Sequence, residues 1–345
     1  MSGIKNVSAL ALNSNRISAS VVRLNEDGEP FVTGLGKFEG RIMGSSGVLD
    51  IDRMARGMKT ALSKAFEESG DEPKQLLLGV SGASVSCETA RGIVKIGNKN
   101  GEITKTHLRE VMKIAEMLPV DRARQILHSI PQDFILDGQD GIANPLGLAG
   151  MKLETETLLV TAYAPFIQNV TKALNLAGKE ARDIIFSVFA VSDSVFERQD
   201  KPKGVALLEI DDAFTSVSFF YGNLLRGLKV ERSSAISEGA LERLSKGLDK
   251  MRGGRAVSEI ILLGGSYVHE DFVEKVNRVF GIPSRMAYLR QVKGSAKDIS
   301  SPAHIPSISL CLYGLVSSSP DSDIIRQGLL GRARRRLGEF IEEYF

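Results

Sequence analysis

The sequence contains no tryptophan, and aromatic residues make up only 6% of its 345 residues. Proteins that bind single-stranded nucleic acid commonly stack the bases on aromatic side chains. A net charge of +2 gives no general attraction for a polyanion. We therefore expect no nucleic-acid partner.

Cysteine is also scarce, and the motifs of several common active sites are missing. Cys87 and Cys311 lie far apart without metal-binding or redox spacing, which is typical of a reduced cytoplasmic compartment. The four histidines have no metal-ligand spacing, and neither G-x-S-x-G nor G-x-x-x-x-G-K-[ST] is present. The sequence therefore predicts no catalytic residue and no metal site, with His128 as a structural histidine in a strand.

Long hydrophobic runs are absent as well. No run approaches the ~20 apolar residues that a membrane-spanning helix needs. The N-terminal stretch MSGIKNVSALALN is too short and too polar to be a signal peptide. The composition, 43% hydrophobic and 25% charged, is typical of a soluble protein. A chain of this length predicts two lobes rather than a single core.

Each half of the chain opens with a predicted strand-turn-strand. Residues 6–12 and 16–24 turn through Asn and Ser, which tolerate tight turns. In the second half, GVALLEI and TSVSFFY flank a turn that contains Asp211 and Asp212. This turn is either an ordinary hairpin tip or the remnant of a phosphate loop, whose glycines let N–H groups approach phosphate. The two carboxylates could alternatively bind a metal, although adjacent turn carboxylates are usually solvated.

Between the hairpins, helical spacing behind an Asp cap predicts a helix at 50–69, and a compact α+β module follows at 83–162. Within this module, the strand RQILHSIPQDFILDG is followed by a predicted Gly/Pro-rich loop, QDGIANPLGLAG. After the second hairpin, a helix at 237–250 precedes a strand that ends in Gly264 and Gly265. That glycine pair is either a ligand cradle or a tight turn. Two lobes with the same beginning predict an internally repeated architecture.

The stretch ILHSIPQDFILDGQDGIANPLGLAGMKLE at 126–154 strongly resembles the signature of the bacterial cell-division protein FtsA, an actin-like protein. Residues 79–104 and 166–174 resemble that family too, and the resemblance extends over roughly 5–315 and the tail. It implies an α/β, actin-like (actin/Hsp70-type ATPase) fold of two lobes. It also identifies 83–162 as the inserted α+β subdomain 1C, which in relatives contacts neighbouring FtsA molecules and later division proteins.

The same resemblance divides the rest of the chain. Residues 1–82 and 163–200 form the first lobe (1A-like), completed by about 302–315, and 201–301 form the second lobe (2A-like). In the family, the 2B subdomain lies between the helix near 240 and the strand near 260. The connection between them is too short here to contain it, so most of 2B is absent. In relatives 2B closes the nucleotide cleft and binds the tail of the tubulin-like protein FtsZ, which places FtsZ binding at that site in doubt.

The phosphate motifs depart from the family pattern. Residues 11–16 match the family's first motif, D-I-G-T-[ST]-K, and Ala11 stands where the family has the Asp that organises a magnesium-bound water. Residues 209–216 match the second motif, D-I-G-G-G-T-T-D, and contain none of its three glycines. Two carboxylates facing a polyanion would each cost on the order of a kcal/mol. No cofactor is therefore expected, with ATP and magnesium as the alternative. The degenerate cleft comprises Ala11, Asn13, Ser14, Arg16, Glu209, Asp211, Asp212, Ala213, Thr215, Gly264 and Gly265.

The C-terminal segment 329–345 follows a polar linker at 316–328 and has apolar residues at helical spacing. Such a helix either binds a membrane interface, with arginines at anionic headgroups, or docks on the protein's own core. The resemblance to the membrane-targeting helix of FtsA favours the membrane. The arginines could instead meet nucleic acid, but the interleaved apolar residues favour lipid. The predicted membrane-binding residues are Leu330, Arg332, Ala333, Arg335, Arg336, Leu337, Phe340, Ile341, Tyr344 and Phe345.

Taken with the resemblance, these features predict a non-enzymatic pseudo-ATPase scaffold, peripheral on the inner face of the cell membrane at the division site. Its partners would be the membrane surface and cell-division proteins, including another FtsA-like protein or FtsZ, and the resemblance also implies self-association. Two alternatives stay open: an ATP-binding actin-like protein that polymerises and tethers FtsZ, and a scaffold like the pilus-assembly protein PilM.

Overall fold

The computed structural model describes residues 6–44, 47–97, 100–117, 121, 123–196, 204–222, 224–232, 237–265, 269–290 and 292–317. The predicted membrane helix at 329–345, with all of its predicted membrane-binding residues, lies outside the described residues, as does the predicted linker from 318 onward. Among the described residues, no helix is both long enough and apolar enough to cross a bilayer.

The first lobe and the module occupy the first part of the chain. The first lobe begins with β1 (Asn6–Leu12), β2 (Arg16–Leu24), β3 (Pro30–Glu39), β4 (Met43–Gly44), β5 (Gly47–Val48), α1 (Ile51–Ser69) and β6 (Leu76–Val80). The module consists of β7 (Val85–Lys95), α2 (Lys105–Met117), β8 (Arg124–Leu136), β9 (Gln139–Ile142) and β10 (Lys152–Tyr163). The chain then returns to the first lobe with α3 (Ala164–Leu176), β11 (Asp183–Phe186) and α4 (Ser187–Val195).

The second lobe follows, and the chain finally returns to the first. The second lobe contains β12 (Gly204–Ile210), β13 (Phe214–Tyr221), β14 (Leu224–Arg232), α5 (Glu238–Arg252), β15 (Val257–Leu263), α6 (Glu270–Phe280) and β16 (Ser284–Met286). The returning segment contains β17 (Lys293–Gly294), a 3-10 turn at Pro302–His304 and α7 (Ile305–Ser317).

The two lobes repeat one sheet topology. The first has the strand order β11-β6-β1-β2-β3-β17, and the second has the order β14-β13-β12-β15-β16. In each, the first three strands form an antiparallel meander, and two later strands extend the sheet in parallel from the side of the first strand. The first lobe has the additional strand β17 at its other edge, beside β3. The predicted internal repeat is therefore confirmed, and it gives each lobe a hairpin turn at the equivalent position.

Local sequence explains several of these elements. Helix α1 begins where the Asp50 side chain accepts a hydrogen bond from the Arg53 N–H, and it ends at Gly70, whose φ of 67° suits a left-handed cap. Its buried positions, including Met54, Met58 and Leu62, recur at helical spacing. Strand β12 is buried at every position because it lies at the centre of the second-lobe sheet.

One hydrophobic core runs continuously through both lobes and the base of the module. It includes Met58 of α1, Ile130 of β8, Phe186 of β11, Phe220 of β13 and Ile261 of β15. The module has a further core of its own beneath α2. Burial of this shared core opposes separation of the lobes, because separation would expose apolar surface to water.

The structure corrects three details of the predicted organisation. Strand β17 pairs with β3 of the first lobe, so the second lobe ends before Lys293 rather than at 301. Helix α7 continues to Ser317, past the predicted start of the linker at 316. The predicted Gly/Pro-rich loop after β8 begins with the short strand β9, which pairs with β8. Strand β17 has no local signal, since a two-residue strand is defined only by its tertiary partner.

Candidate functional site

The turns of the two equivalent hairpins meet where the lobes face each other. The Ser14 N–H donates to Asp211 Oδ2 at 2.9 Å. Beside this contact, the side-chain amide of Asn15 donates to Asp212 Oδ2. Residues from the two predicted phosphate motifs are thus brought together, and they bond directly to each other.

Asp211 is almost completely buried, with 7% of its surface exposed. Its Oδ1 accepts from the Ala213 N–H at 3.0 Å, and its own N–H donates to the Phe214 carbonyl at 3.0 Å, which closes the turn. The expectation of a solvated carboxylate is therefore wrong for Asp211, because the facing lobe covers it. No metal-binding arrangement of His, Cys, Asp and Glu side chains occurs among the described residues.

Arg16 is the cation of the cleft and stands at the position of the lysine in the family motif. Burial lowers the pKa of Arg16 below its ordinary value, while the negative charges of Asp211, Glu39 and Asp212 oppose that shift. A Cβ placed on Gly265 would lie 3.5 Å from Arg16 Nη1, an ordinary contact distance. Packing against Arg16 therefore does not require glycine at Gly265.

Glu209 is buried at the end of β12, with 3% of its surface exposed. Its partner across the hairpin is Ser216, whose hydroxyl donates to Glu209 Oε2 at 3.5 Å. Burial, assisted by the charge of Asp211, raises the pKa of Glu209 to about 8. The side chain therefore carries a proton at neutral pH, which removes one negative charge from the base of the turn.

The remaining predicted residues lie in or next to the strands that lead into the two turns. Ala11 lies inside β1 with 1% of its surface exposed, and Thr215 is equally buried in β13. The Asn13 N–H donates to the Arg16 carbonyl at 2.8 Å and closes the first turn. Gly264 follows the end of β15. The contacts between the lobes at this place are therefore those of the two turns, Ser14 with Asp211 and Asn15 with Asp212.

Two residues close to Arg16 were not singled out from the sequence. Asn15 contacts Asp212, and its position within the first motif was the signal that could have found it. His304 is buried at the 3-10 turn, and burial, together with the charges of Lys37 and Arg16, lowers its pKa to about 4. No local pattern marks His304, because its surroundings come from distant parts of the chain.

The module is the second candidate site. Its sheet has the order β7-β10-β8-β9, and α2 covers one face through Val94, Val111 and Leu153. On the first lobe, the Phe186 N–H donates to His128 Nε2 at 3.0 Å, which confirms the structural role predicted for that histidine. The base of the module is thus attached to the first lobe through His128.

This module matches a known domain. Residues 82–161 match the family described as "SHS2 domain inserted in FTSA". The chain is FtsA-like. The FtsA-like chain is 22% identical to the cell division protein FtsA of Pseudomonas aeruginosa, in an alignment that covers 91% of this chain and 90% of that relative. The predicted resemblance is therefore confirmed.

Other relatives match over a shorter stretch. The FtsA-like chain is 28% identical to the cell division protein FtsA of Escherichia coli K12 over 226 residues, which are 66% of this chain and 53% of that relative. The match with FtsA of Bacillus subtilis is 27% identical and covers 58% of this chain and 45% of the relative. The chain thus matches about half the length of these two curated relatives.

A solved structure supports the architecture. A chain of the PilM–PilN type IV pilus biogenesis complex matches the FtsA-like chain with a TM-score of 0.66 and 13% identity. The match covers 90% of this chain and 98% of that chain. At this identity the likeness shows the fold alone. The fold of the FtsA-like chain is actin-like, as predicted.

Proposed function

We propose that this chain is a non-enzymatic, FtsA-like pseudo-ATPase that works as a peripheral membrane adaptor in bacterial cell division. The observation that carries this proposal is the hydrogen bond from the Ser14 N–H to Asp211 Oδ2 at 2.9 Å. In the family pattern, these two turns supply the phosphate motifs. Here they bond to each other instead of presenting donors to a ligand.

The charge of the second turn supports the same proposal. Asp211 and Asp212 replace glycines of the family motif, so two carboxylates stand where backbone N–H groups would approach phosphate. The phosphates of a nucleoside triphosphate at this turn would lie close to the carboxylates of Asp211 and Asp212, which carry charge of the same sign. The Ser14 N–H would also lose the hydrogen bond that it now donates to Asp211. Both effects weaken nucleotide binding.

The connection after α5 is also shorter than the resemblance would require for a complete cleft. Gly253 caps α5 with a φ of 53°, and residues 253–256 alone lead into β15. No 2B-like subdomain can be accommodated in that connection. An adaptor does not need a closed nucleotide cleft, so this loss fits a scaffold better than an ATPase.

Two parts of the chain would make the working contacts of the adaptor. The module would bind proteins of the division machinery, and a second FtsA-like chain is one candidate. The segment 329–345 would bind the inner face of the cell membrane through its apolar face, with its arginines at anionic headgroups. Self-association through the module belongs to the same proposal.

The test is a calorimetric titration of the full chain with ATP and magnesium, beside liposome sedimentation of the same sample. We expect no heat of ATP binding and co-sedimentation with vesicles that contain anionic lipid. Micromolar ATP binding would contradict the pseudo-ATPase proposal and favour the alternative, an ATP-binding actin-like protein that polymerises. Co-purification with pilus-assembly rather than division proteins would favour the PilM-like alternative.

A further inference from the structure

Asp211 is held in the way that proteins hold a small anion. Both of its carboxylate oxygens accept hydrogen bonds from backbone N–H groups, one from Ser14 at 2.9 Å and one from Ala213 at 3.0 Å. The first donor belongs to the first lobe and the second to the second lobe. Phosphate oxygens are bound by the same kind of main-chain donor at turns.

The first turn is braced so that the Ser14 N–H points toward the second lobe. The Ser14 carbonyl accepts from the N–H groups of Ile42 and Met43 at 2.9 and 3.0 Å, and the Asn15 carbonyl accepts from Gly40 at 2.8 Å. The turn is therefore fixed by its own lobe. Its N–H is available to an acceptor that comes from the other lobe.

A cation completes the surroundings. Arg16 lies within electrostatic reach of Asp211 and Asp212, and its Nε is buried with no hydrogen-bond partner among the described residues. Asn15 adds a second polar link between the turns through Asp212. Two main-chain donors thus hold the Asp211 carboxylate, and the positive charge of Arg16 acts on it from nearby.

We propose that Asp211 is a built-in anion that takes the place of a phosphate group between the two turns, so that the lobes are held in one arrangement without a bound ligand. This deepens the proposed function, on which it rests, because it says what replaced the nucleotide. The core shared by both lobes fits a single fixed arrangement. The protein would then present its module in a constant orientation.

Chemical rescue tests this directly. In full-length Asp211→Ala the carboxylate is removed and its donors are left unpaired in a buried site. We expect Tm to fall by several degrees, and we expect sodium formate or inorganic phosphate to restore it with a saturating dose dependence. Sodium chloride at the same ionic strength should not restore it, and in the wild-type chain formate and phosphate should give only the non-saturating effect of the salt on Tm.

Asp50→Ala is the matched control. Asp50 also accepts a backbone N–H, from Arg53 at 2.8 Å, but it is an exposed helix cap with no facing lobe. Its loss should lower Tm without saturating rescue. An Asp211→Ala chain that keeps the wild-type Tm, or that loses stability without anion rescue, would overturn the built-in anion.

A second measurement covers the case in which Asp211→Ala fails to fold. Hydrogen exchange of the Ser14 amide should be slow in the ligand-free wild-type chain and faster in Asp211→Asn, which lacks the negative charge. Rapid exchange at Ser14 in the wild-type chain would contradict the proposal. ATP binding by the wild-type chain would instead contradict the pseudo-ATPase function, so the two failures are distinguishable.

Discussion

Arg226 of the second lobe donates from Nη1 to Gln132 Oε1 of the module at 3.0 Å. The amide of Gln132 in turn donates to the Leu225 carbonyl at 3.1 Å. A further bond of 3.1 Å runs from Arg232 Nη2 to the Ala83 carbonyl at the start of the module. The module is therefore joined to the second lobe as well as to the lobe from which its chain emerges.

A double-mutant cycle measures this joint. Because Gln132 receives one bond from Arg226 and gives another to Leu225, we expect Arg226→Ala and Gln132→Ala to be coupled by about 1 kcal/mol in urea unfolding of the full chain. Arg243→Ala paired with Gln132→Ala is the control, since Arg243 bonds to Glu231 within the second lobe. Additive effects of Arg226 and Gln132 would show that the contact does not stabilise the protein.

The protonated state of Glu209 makes stability depend on pH. Its pKa is about 8 in the folded chain, against an ordinary value of 4.5, so between these values the folded state binds the extra proton. The free energy of unfolding should therefore fall as pH rises through that window. The fall is at most about 1.4 kcal/mol for each unit by which the folded pKa exceeds the unfolded pKa. Glu209→Gln, which keeps the shape without the titration, should remove this fall in pH-dependent thermal unfolding.

The exposed Glu242→Gln on α5 serves as the control for that experiment and should keep the pH profile of the wild-type chain. An unchanged profile in Glu209→Gln would mean that Glu209 ionises normally in the folded state. The pH profile of thermal unfolding of the wild-type chain is subtracted from that of each variant, because His304 makes stability change with pH in the opposite direction. Burial lowers its pKa to about 4 from 6.5, so its contribution is lost as pH falls through that range.

The sequence predicted the elements whose pattern is local. Both hairpins follow from β-branched runs separated by turn residues, and α1 follows from Asp50 and helical spacing. The resemblance to FtsA singled out the two turns, and Ser14 of the first turn bonds to Asp211 of the second. These predictions needed only neighbouring residues or a known motif.

What could not be predicted depends on contacts between distant parts of the chain. Ser14 and Asp211 are 197 positions apart, and no local pattern says that one would bond to the other. The burial of Asp211 follows from the facing lobe rather than from its own turn. Strand β17 pairs with β3 over two residues, where Gly294 fits because a Cβ there would lie 2.5 Å from the Val32 carbonyl oxygen.

Gly92 provides a way to disturb the module alone. A Cβ on Gly92 would lie 1.9 Å from the Val111 carbonyl oxygen, so β7 and α2 must move apart in Gly92→Ala. Overpacking of this kind costs about 1–3 kcal/mol. We expect hydrogen exchange to increase within 83–162 and binding to division partners to weaken, while the sheet of the second lobe stays protected.

The matched control lies five positions further along the chain. Among the described residues, no heavy atom lies within 4 Å of a Cβ placed on Gly97, so Gly97→Ala should leave the module unchanged. If Gly92→Ala keeps the protection of the module, the packing of α2 on β7 is not as tight as the structure indicates. If protection is lost but partner binding persists, the module is not the partner-binding surface.

The segment 329–345 makes the sharpest test of the adaptor proposal, because its two faces can be changed separately. By sequence, Leu337 and Ile341 share the apolar face and Glu342 lies on the polar face. We expect Leu337→Glu with Ile341→Glu to abolish co-sedimentation with anionic vesicles, as deletion of 329–345 should, because a buried charge opposes insertion into the acyl region. Glu342→Gln should retain binding.

Two results would contradict this assignment. Co-sedimentation that persists after the deletion would place the membrane contact elsewhere in the chain. Equal loss of binding in the apolar-face variant, Leu337→Glu with Ile341→Glu, and in Glu342→Gln would show that the segment does not bind as an amphipathic helix.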